Sequence, residues 1–402
     1  MKFFRLDYFI YLIIILISLI PLNFSAPGEL EISLIEIENS ESNALWREDV
    51  GGSGYFDYEP IKKYEKVSKY TFNPEGYAPY SISSNPILFK DTIYITFKDY
   101  LVALNLKDGK EKWRMKVSID PKTSITAIDK YIFFPERKST SIIGIDTESK
   151  EIVFKYNFKR EIVITPLNYK DGVIYFGTQY FLCHASQSNE PLHIIMNAYD
   201  IKSNKFIFRY KVINQRMISY PTIDKNTLIF TTNNIIALDI KTGEKKWKRV
   251  SEGYVSELVP VKDGIGYYYE NIKDSSTLYA VDIQTGHDIW KYDFNKIVLG
   301  IPSIDEKNIY LTSWDGTLYS IDRLNGKINW VKDNFNIIDN SLIVVKDIIY
   351  LVDGVNLVAL NKDNGELIWK GEERIGKPIY SPIASDKFLL IPHSFELYLY
   401  TN

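Results

Sequence analysis

Cysteine is almost absent from this chain of 402 residues, in which Cys183 is the only one. A single cysteine excludes an internal disulfide and any metal cluster held by several thiolates. A basic excess is absent too, because 48 lysines and arginines are balanced by 51 aspartates and glutamates, with a formal net charge of −3. This balance excludes the basic footprint on which nucleic-acid binding depends.

Long hydrophobic runs are limited to one, YFIYLIIILISLIPL at residues 8–22, which follows a short positively charged start. About fifteen apolar residues suit a secretory signal peptide, whereas a membrane-spanning helix usually needs about 20. Phe24 stands where a small residue is preferred for cleavage after Ala26, so residues 1–26 are either a cleaved signal peptide or an uncleaved membrane anchor. Both interpretations predict an extracytoplasmic protein (secreted, periplasmic or anchored facing outward), and the lack of a nearby cysteine excludes a bacterial lipoprotein.

Aromatic residues, by contrast, are abundant, with 30 tyrosines, 21 phenylalanines and 7 tryptophans. Tyrosine and phenylalanine are common in β-strands, so the composition favours an all-β fold. An eleven-residue unit recurs through the chain, for example ALDIKTGEKKW at 237–247 and AVDIQTGHDIW at 280–290. Most copies follow one another at intervals of about 40 residues, the length of a four-stranded propeller blade.

Each repeat unit reads as a strand, a tight turn and a second strand that ends on a large aromatic residue. The Asp or Asn of the unit can cap the amides of the turn, glycine can adopt the left-handed φ, and the aromatic ring can pack between neighbouring sheets. The aromatic residues are Trp46, Trp113, Phe154, Phe208, Trp247, Trp290, Trp330 and Trp369, and the glycines are Gly109, Gly243, Gly286, Gly326 and Gly365. Asn204 and Lys150 replace glycine in two copies, and a looser turn is expected at Lys150.

The two ends of the chain complement each other. Up to three strands follow Trp369 without a closing aromatic residue, whereas Trp46 near the start has little before it. We therefore predict an eight-bladed β-propeller of four-stranded antiparallel blades over residues 27–402, closed by pairing N- and C-terminal strands in one blade. Such closure removes the free sheet edges that would invite aggregation.

The pattern A-x-D-x-x-T-G-x-x-x-W resembles the tryptophan-docking motif of the quinoprotein-type (PQQ-like) β-propellers. The resemblance covers roughly residues 43–402 and implies the propeller fold. The family contains quinone-dependent dehydrogenases as well as non-catalytic scaffolds, of which the BamB type in outer-membrane protein assembly is similar in size.

The enzymes of this family hold a calcium ion with Glu, Asn and Asp beside the quinone, usually under a ring formed by adjacent cysteines. Cys183 has no cysteine neighbour, and no set of Glu, Asn and Asp stands apart from the repeat positions. Because these features are missing from the sequence, we predict a non-catalytic protein without a cofactor. A quinone- or metal-dependent oxidoreductase is the alternative.

One loop sequence suggests metal ligands. Cys183, His184 and His193 lie within residues 179–193, and thiolate and imidazole groups are typical zinc ligands. Their spacing is not that of a known zinc module and a fourth ligand is not evident. We expect an incidental Cys–His pair in a solvated loop, and hence no metal site.

Two insertions lengthen the repeat, at residues 51–83 and 179–193, and both are predicted on one face of the propeller. Shorter excursions at 135–140 and 270–276 join them there. The first insertion is rich in tyrosine, with Tyr55, Tyr58, Tyr64, Tyr70, Tyr77 and Tyr80. Tyrosine favours interfaces, so this face is predicted to bind a partner; the alternative is that the segment packs as a lid over the blade rim.

The function expected from the sequence is that of a monomeric scaffold or recognition module in the cell envelope. Its partner would be another envelope protein or a surface polymer. A membrane-tethered sensor or carbohydrate-binding ectodomain, associated with the membrane through residues 8–22, is a further alternative.

Overall fold

The structure is a computed structural model. It describes residues 28–33, 35, 43–44, 54–71, 85–97, 99–119, 124–136, 140–180, 193–213, 219–336, 342–376, 381–386, 388–393 and 396–401. The predicted features that lie outside these residues are the segment 1–26, Trp46, Tyr77, Tyr80, Cys183 and His184. Residues 51–53 and 72–83 of the first predicted insertion and residues 181–192 of the second also lie outside them, so the predicted loop-face position of the second insertion stays a prediction. Within the described ranges, no helix is long and apolar enough to cross a membrane.

Eight antiparallel sheets follow one another along the described chain, which confirms the predicted eight-bladed β-propeller. Blade 1 contains Ile87–Phe89, Thr92–Phe97, Tyr100–Asn105 and Glu111–Lys116. Blade 2 contains Thr126–Ile128, Tyr131–Pro135, Ser141–Asp146 and Ile152–Phe158. Blade 3 contains an interrupted first strand, Glu161–Val163 and Asn168–Lys170, followed by Val173–Tyr180, His193–Asp200 and Lys205–Ile213.

The next blades repeat the same order. Blade 4 contains Thr222–Asp224, Thr227–Thr231, Asn234–Asp239 and Lys245–Val250. Blade 5 contains an interrupted first strand, Tyr254–Val255 and Val261–Lys262, followed by Ile265–Ile272, Ser275–Asp282 and Asp288–Phe294. Blade 6 contains Val298–Ile304, Asn308–Ser313, Leu318–Asp322 and Ile328–Lys332. Blade 7 contains Ile343–Val345, Ile348–Asp353, Asn356–Asn361 and Leu367–Lys370.

Blade 8 is built from both ends of the chain. Its strands are Ile383–Ser385, Phe388–His393, Glu396–Thr401 and, as the outermost strand, Lys66–Thr71. Lys66 pairs with Thr401 and Thr71 pairs with Glu396, so the predicted pairing of N- and C-terminal strands is confirmed. The predicted closing aromatic residue was wrong, because the closing strand is Lys66–Thr71 and not the strand of Trp46.

Three short strands extend the blades. Gly28–Ser33 adds a fifth strand to the outer edge of blade 2, and Asn43–Ala44 pairs with its innermost strand. Tyr55–Phe56 runs parallel to Ile343–Val345, the innermost strand of blade 7. The first part of the chain therefore lines the central channel at blades 2 and 7.

Hydrophobic side chains fill the spaces between blades rather than one central core. Eight buried clusters are present among the described residues, and each one joins two consecutive blades. The cluster between blades 8 and 1 joins Leu397 and Leu399 to Ile93 and Val102, and so closes the ring. Burial between sheets on this scale supplies the main stabilisation of the fold.

The propeller has two distinct faces. One face carries the connections from second to third strands and the connections from each fourth strand to the next blade. We call it the loop face. The strand ends on this face include Tyr180, Ile213, Val250 and Ile272. We call the turn face the opposite one, which carries the turns of the repeat units, such as the turn at Gly286.

Residues 54–71 correct the prediction of a loop-face insertion at 51–83. After Tyr55–Phe56 the chain crosses the turn face: the Ile61 carbonyl accepts hydrogen bonds from Tyr350 Oη at 2.8 Å and from Trp369 Nε1 at 3.0 Å. It then becomes the outer strand of blade 8. This path places the Ile61 carbonyl and the strand Lys66–Thr71 beside the third strand of blade 8, Glu396–Thr401.

Candidate interaction surface

The aromatic residues of the repeat units connect each blade to the next. The indole N–H of Trp247 donates to the carbonyl of Ile283 at 2.8 Å, and its ring covers Gly286 of the following blade. A β-carbon at residue 286 would lie 2.6 Å from Cδ2 of Trp247, and the glycine has a φ of 73°. Only glycine fits this close approach without strain.

The other repeat units use the same contact with small variations. Trp290 and Trp330 donate to the carbonyls of Arg323 and Lys362, each at 2.9 Å. Rings also cover the turn glycines at the following pairs: Phe208 on Gly243, Trp290 on Gly326, Trp330 on Gly365 and Tyr70 on Gly109. Tyr70 therefore occupies the position that the sequence assigned to Trp46, although it was predicted as a partner-binding residue.

Phe154 and Trp113 pack within the inter-blade clusters, whereas Trp369 donates to the Ile61 carbonyl. Phe154 is fully buried, with ring centroids 5.8 Å from Phe133 and 5.9 Å from Tyr199. Trp113 is half-buried beside Tyr94, with ring centroids 5.9 Å apart.

Aspartates cap the turns of the repeat units. Asp282 Oδ1 accepts hydrogen bonds from the backbone N–H groups of Gln284 at 2.9 Å and Thr285 at 2.8 Å. Burial opposes ionisation of this carboxyl, but these hydrogen bonds outweigh it and lower the pKa of Asp282 below its usual value. Aspartates at these positions therefore stabilise turns.

The turn at Lys150 is not looser than the others. Lys150 has a φ of 63°, and its N–H donates to the carbonyl of Asp146 at 2.8 Å, as the N–H of Gly286 does to Asp282. The contacts that hold the turn outweigh the cost of a left-handed lysine, which is about 1–2 kcal/mol.

Charged residues of the turn face pair with one another across blades. Asp305 is buried and forms an ion pair with Lys362 of the next blade at 2.7 Å. Arg323, also buried, pairs with Asp263 of the preceding blade. A cavity of about 350 Å³ lies nearby, and its lining residues are Glu306, Lys307, Asn308, Ser320, Asp322, Leu324, Asn329 and Asp363. The inter-blade pairing marks this part of the turn face as structural.

The loop face differs, because large hydrophobic side chains are exposed there. Val250 is 76% exposed, Trp314 73%, Tyr254 45% and Ile272 39%. Tyr254 pairs with Asn271, and the preceding Gly253 contacts Ile272, so the group spans the boundary between blades 4 and 5. We call Val250, Tyr254 and Ile272 the apolar patch.

Acidic residues surround the apolar patch. Glu252, Glu257 and Asp274 are exposed around it, together with two lysines, Lys248 and Lys273. The hydroxyl of Tyr254 donates to Glu257 Oε1 at 3.3 Å. The patch therefore presents an apolar centre with an acidic border.

Arg249, next to Val250 in the chain, packs against two stacked tyrosines of blade 5. Tyr268 and Tyr279 stack with ring centroids 5.0 Å apart, and the guanidinium of Arg249 lies 5.7 Å and 5.1 Å from the two centroids. Arg249 is also paired with Asp288. Glu270, buried beside this group, has a pKa raised mainly by burial, and a hydrogen bond with Ser251 only partly offsets the effect.

The described tyrosines of the predicted partner-binding set lie in structural packing. Tyr64 contacts Trp369 and Tyr400, with ring centroids 5.0 Å and 5.3 Å apart. The ring centroids of Tyr58 and Phe56 are 6.4 Å apart. Tyr55 is half-buried and packs against the hydrophobic cluster between blades 6 and 7. These described tyrosines therefore contact neighbouring blades, and a role of the segment in partner binding stays a prediction.

The metal-ligand prediction concerns one described residue, His193. It begins the third strand of blade 3, and its ring lies 6.1 Å from that of Tyr180. Within the described ranges, no three His, Cys, Asp or Glu side chains are placed to hold a metal ion.

Sequence reasoning missed the apolar patch. Residues 270–276 were predicted to reach this face, and the second strand of blade 5 does turn there. Val250 ends a fourth strand, and its exposure depends on where the next blade lies. A local sequence pattern does not predict that position.

Taken with the docking contacts, the fold defines a class: an eight-bladed propeller built from tryptophan-docking repeats. Residues 252–378 match the family model described as outer membrane protein assembly factor BamB. This match confirms the predicted resemblance to quinoprotein-type repeats over blades 5 to 7. No curated protein matches the sequence.

Solved structures of proteins with different roles share the fold. BamB from Moraxella catarrhalis is 14% identical, with a TM-score of 0.56 over 85% of this chain and 100% of that chain. Quinohemoprotein alcohol dehydrogenase from Comamonas testosteroni is 10% identical, with a TM-score of 0.67 over 90% of this chain and 81% of that chain. A europium-containing methanol dehydrogenase is 11% identical, with a TM-score of 0.64 over 90% of this chain and 98% of that chain. At these identities the likeness concerns the fold alone.

Proposed function

We propose that this protein is a non-catalytic, extracytoplasmic propeller that binds another envelope protein through its loop face. The observation that carries the proposal is the exposure of Val250, Tyr254 and Ile272 at the loop-face boundary of blades 4 and 5. Clustered exposed apolar side chains with a polar border are typical of protein interfaces. The alternative, a quinone- or metal-dependent oxidoreductase, has the support of the fold but of no group of residues described above.

The chemistry of the patch specifies the kind of partner. An apolar centre would accept aliphatic or aromatic side chains, and the border of Glu252, Glu257 and Asp274 would favour lysine or arginine around them. We therefore expect a partner segment that combines hydrophobic and basic residues.

The channel gives a second argument for a binding role. The short strands Asn43–Ala44 and Tyr55–Phe56 lie on the innermost strands of blades 2 and 7. The chain's own residues thus cover part of the channel wall. This arrangement favours recognition on the loop face over a reaction within the channel.

The experiment compares partner capture by matched variants. Full-length protein carrying Val250→Ser and Ile272→Ser is cross-linked in intact cells, and the captured partner is quantified against wild type. Burial of one such side chain contributes about 1.5–3 kcal/mol, so a loss of at least about tenfold is expected. The control is Leu324→Ser on the turn face, where Leu324 is 58% exposed; equal capture by both variants would refute the proposal.

The oxidoreductase alternative has its own measurement. Protein purified from its native envelope is examined for quinone absorbance and for calcium by elemental analysis. We expect neither at stoichiometric level. One bound quinone per chain would show that the protein is a dehydrogenase and would refute the proposed scaffold function, whatever the result of the capture experiment.

A further inference from the structure

The cavity on the turn face lies between the turns of blade 6 and the repeat turn of blade 7. Its volume is about 350 Å³. Asn308, at the start of the second strand of blade 6, and Asn329, in the fourth strand, lie on one side of it, and Asp363 of blade 7 lies on the other. A ligand in this cavity would therefore contact two consecutive blades.

A lysine fills the corresponding space in blade 4. Lys246 precedes Trp247, and its Nζ donates to the Asn226 carbonyl at 3.0 Å and to Thr227 Oγ1 at 2.8 Å. The same Nζ donates to Oε1 of Gln284 in blade 5 at 2.8 Å. The ammonium group of Lys246 thus bridges two blades through three oxygen acceptors.

The lysine and its acceptor occur together in the other blades. In blade 1, Lys112 Nζ donates to the Asp91 carbonyl at 3.3 Å and to Thr92 Oγ1 at 2.7 Å. In blades 2, 3, 5 and 7, both positions carry aliphatic or aromatic side chains, and the pairs are Tyr131 with Val153, Val173 with Ile207, Ile265 with Ile289, and Ile348 with Ile368. In these blades the space is therefore either polar with a lysine or hydrophobic without one.

Blade 6 has the acceptors without the lysine. By strand register, Lys307 and Asn308 stand at the positions of the carbonyl and hydroxyl acceptors, and Asn329 stands at the position of the lysine. Asn329 Nδ2 donates to Asn308 Oδ1 at 2.9 Å, but asparagine is shorter than lysine and carries no charge. The cavity lies where the lysine ammonium stands in blade 4.

The cavity is also more acidic than the corresponding space in blade 4. Asp322 matches Asp239, whose Oδ2 lies 3.9 Å from Lys246 Nζ. Asp363 matches Gln284, because each is the second residue after the residue that caps its turn. A neutral acceptor in blade 4 is thus a carboxylate in blade 6.

The charges of the lining suit a ligand with one positive charge. Glu306 is paired with Lys262 at 2.8 Å. Asp322 and Asp363 then stand against Lys307, whose ammonium forms no ion pair with a carboxylate in the described part of the chain. The lining therefore keeps one net negative charge, which a single ammonium group would balance.

We propose that the cavity binds a small aliphatic amine in its ammonium form, which bridges blades 6 and 7 as Lys246 bridges blades 4 and 5. The ammonium carries three N–H donors, which match the Lys307 carbonyl, Asn308 Oδ1 and the Asp363 carboxylate. The aliphatic part of the amine would lie along Leu324, which is 58% exposed. The inference does not depend on the proposed protein partner, because it concerns the turn face and a structural role.

The test measures whether an amine stabilises the fold through this cavity. Full-length protein is unfolded by urea in about 50 mM n-butylammonium chloride, which has the four-carbon stem and the ammonium of a lysine side chain. Parallel samples contain the same concentration of tetramethylammonium chloride, which has no N–H donor, or of potassium chloride. With a dissociation constant of about 5 mM, n-butylammonium should lower the unfolding equilibrium constant about tenfold relative to the other two salts.

Asn329→Lys places the chain's own ammonium in the cavity. The variant should fold, because Lys112 and Lys246 already stand at this position in blades 1 and 4. In potassium chloride its unfolding equilibrium constant should be about two- to fivefold lower than that of wild type, and its response to n-butylammonium should be lost. The matched control is Ile368→Lys in blade 7, which should keep the wild-type response.

Asp363→Asn removes one carboxylate from an exposed turn and provides a second variant. Its response to n-butylammonium should fall to about twofold, as expected for a tenfold weaker site. An equal response of wild type and Asn329→Lys, an equal effect of all three salts, or an equal effect of potassium and n-butylammonium would overturn the proposal. Loss of the response in Ile368→Lys would overturn it too.

Discussion

At the scale of single residues, one contact is repeated around the ring. An aromatic ring covers a turn glycine in the next blade, and in three blades its indole N–H also reaches a carbonyl of that turn. The contact joins local turn chemistry to the packing between blades. Its recurrence counts blades and does not identify a catalytic site.

Trp247→Ala should destabilise the protein strongly. The ring is 9% exposed and its N–H is paired with the Ile283 carbonyl, so removal leaves a cavity and an unpaired acceptor. We expect a loss of about 3–5 kcal/mol in the free energy of unfolding, measured by urea denaturation. The exposed Trp314 serves as the control, and Trp314→Ala should cost less than about 0.5 kcal/mol. Similar losses at both positions would contradict the inter-blade contact.

Asp282→Asn should change how stability depends on pH. The pKa of Asp282 is lower in the folded chain than in the unfolded chain, so its stabilisation is present above the unfolded pKa of about 3.9 and is lost as pH falls through the folded pKa. The variant should therefore lose less stability than wild type between about pH 5 and pH 2 in urea titrations. Asparagine already occupies this position at Asn105 and Asn361, so the variant should fold. Parallel curves of unfolding free energy against pH for the variant and wild type would show that Asp282 does not cause the loss of stability at low pH.

At the scale of the strand, the outer strand of blade 8 is the element on which the ring depends. Lys66–Thr71 pairs along its whole length with Glu396–Thr401. Residues 54–65 position the start of this strand. The Ile61 carbonyl accepts a hydrogen bond from the indole N–H of Trp369. In other blades, a carbonyl in the turn of the next repeat unit accepts the corresponding hydrogen bond. The closing strand thus links blades 7, 8 and 1.

Tyr70→Ala should destabilise ring closure. The half-buried Tyr70 ring covers Gly109 of blade 1, so its loss should cost about 1–3 kcal/mol in the free energy of unfolding. Tyr70→Phe keeps the ring and should be nearly neutral. A larger loss for Trp46→Ala than for Tyr70→Ala would restore the register that the sequence predicted.

The sequence predicted the blade count because each repeat unit carries its own turn chemistry. It failed for the closing strand because Lys66–Thr71 follows no Asp-x-x-x-Gly turn; its partner strand lies at the other end of the chain. Tyr70 was therefore assigned to a partner surface. The apolar patch was missed for a related reason, since the exposure of Val250 depends on packing between blades.

At the scale of the whole molecule, the two faces differ in character. The turn face carries the repeat turns and inter-blade ion pairs such as Asp305 with Lys362. The loop face carries the exposed apolar patch of Val250, Tyr254 and Ile272. We infer that structure and recognition are divided between the faces, which a ring of repeated blades allows because each face is formed by its own set of connections.

Hydrogen–deuterium exchange of the full-length protein, alone and in its captured complex, tests this division most directly. The account predicts slower exchange in the complex for the amides of residues 250–257 and 270–276, and unchanged exchange for the turn at residues 323–326. Protection confined to the turn face, or no change at residues 250–276, would contradict it.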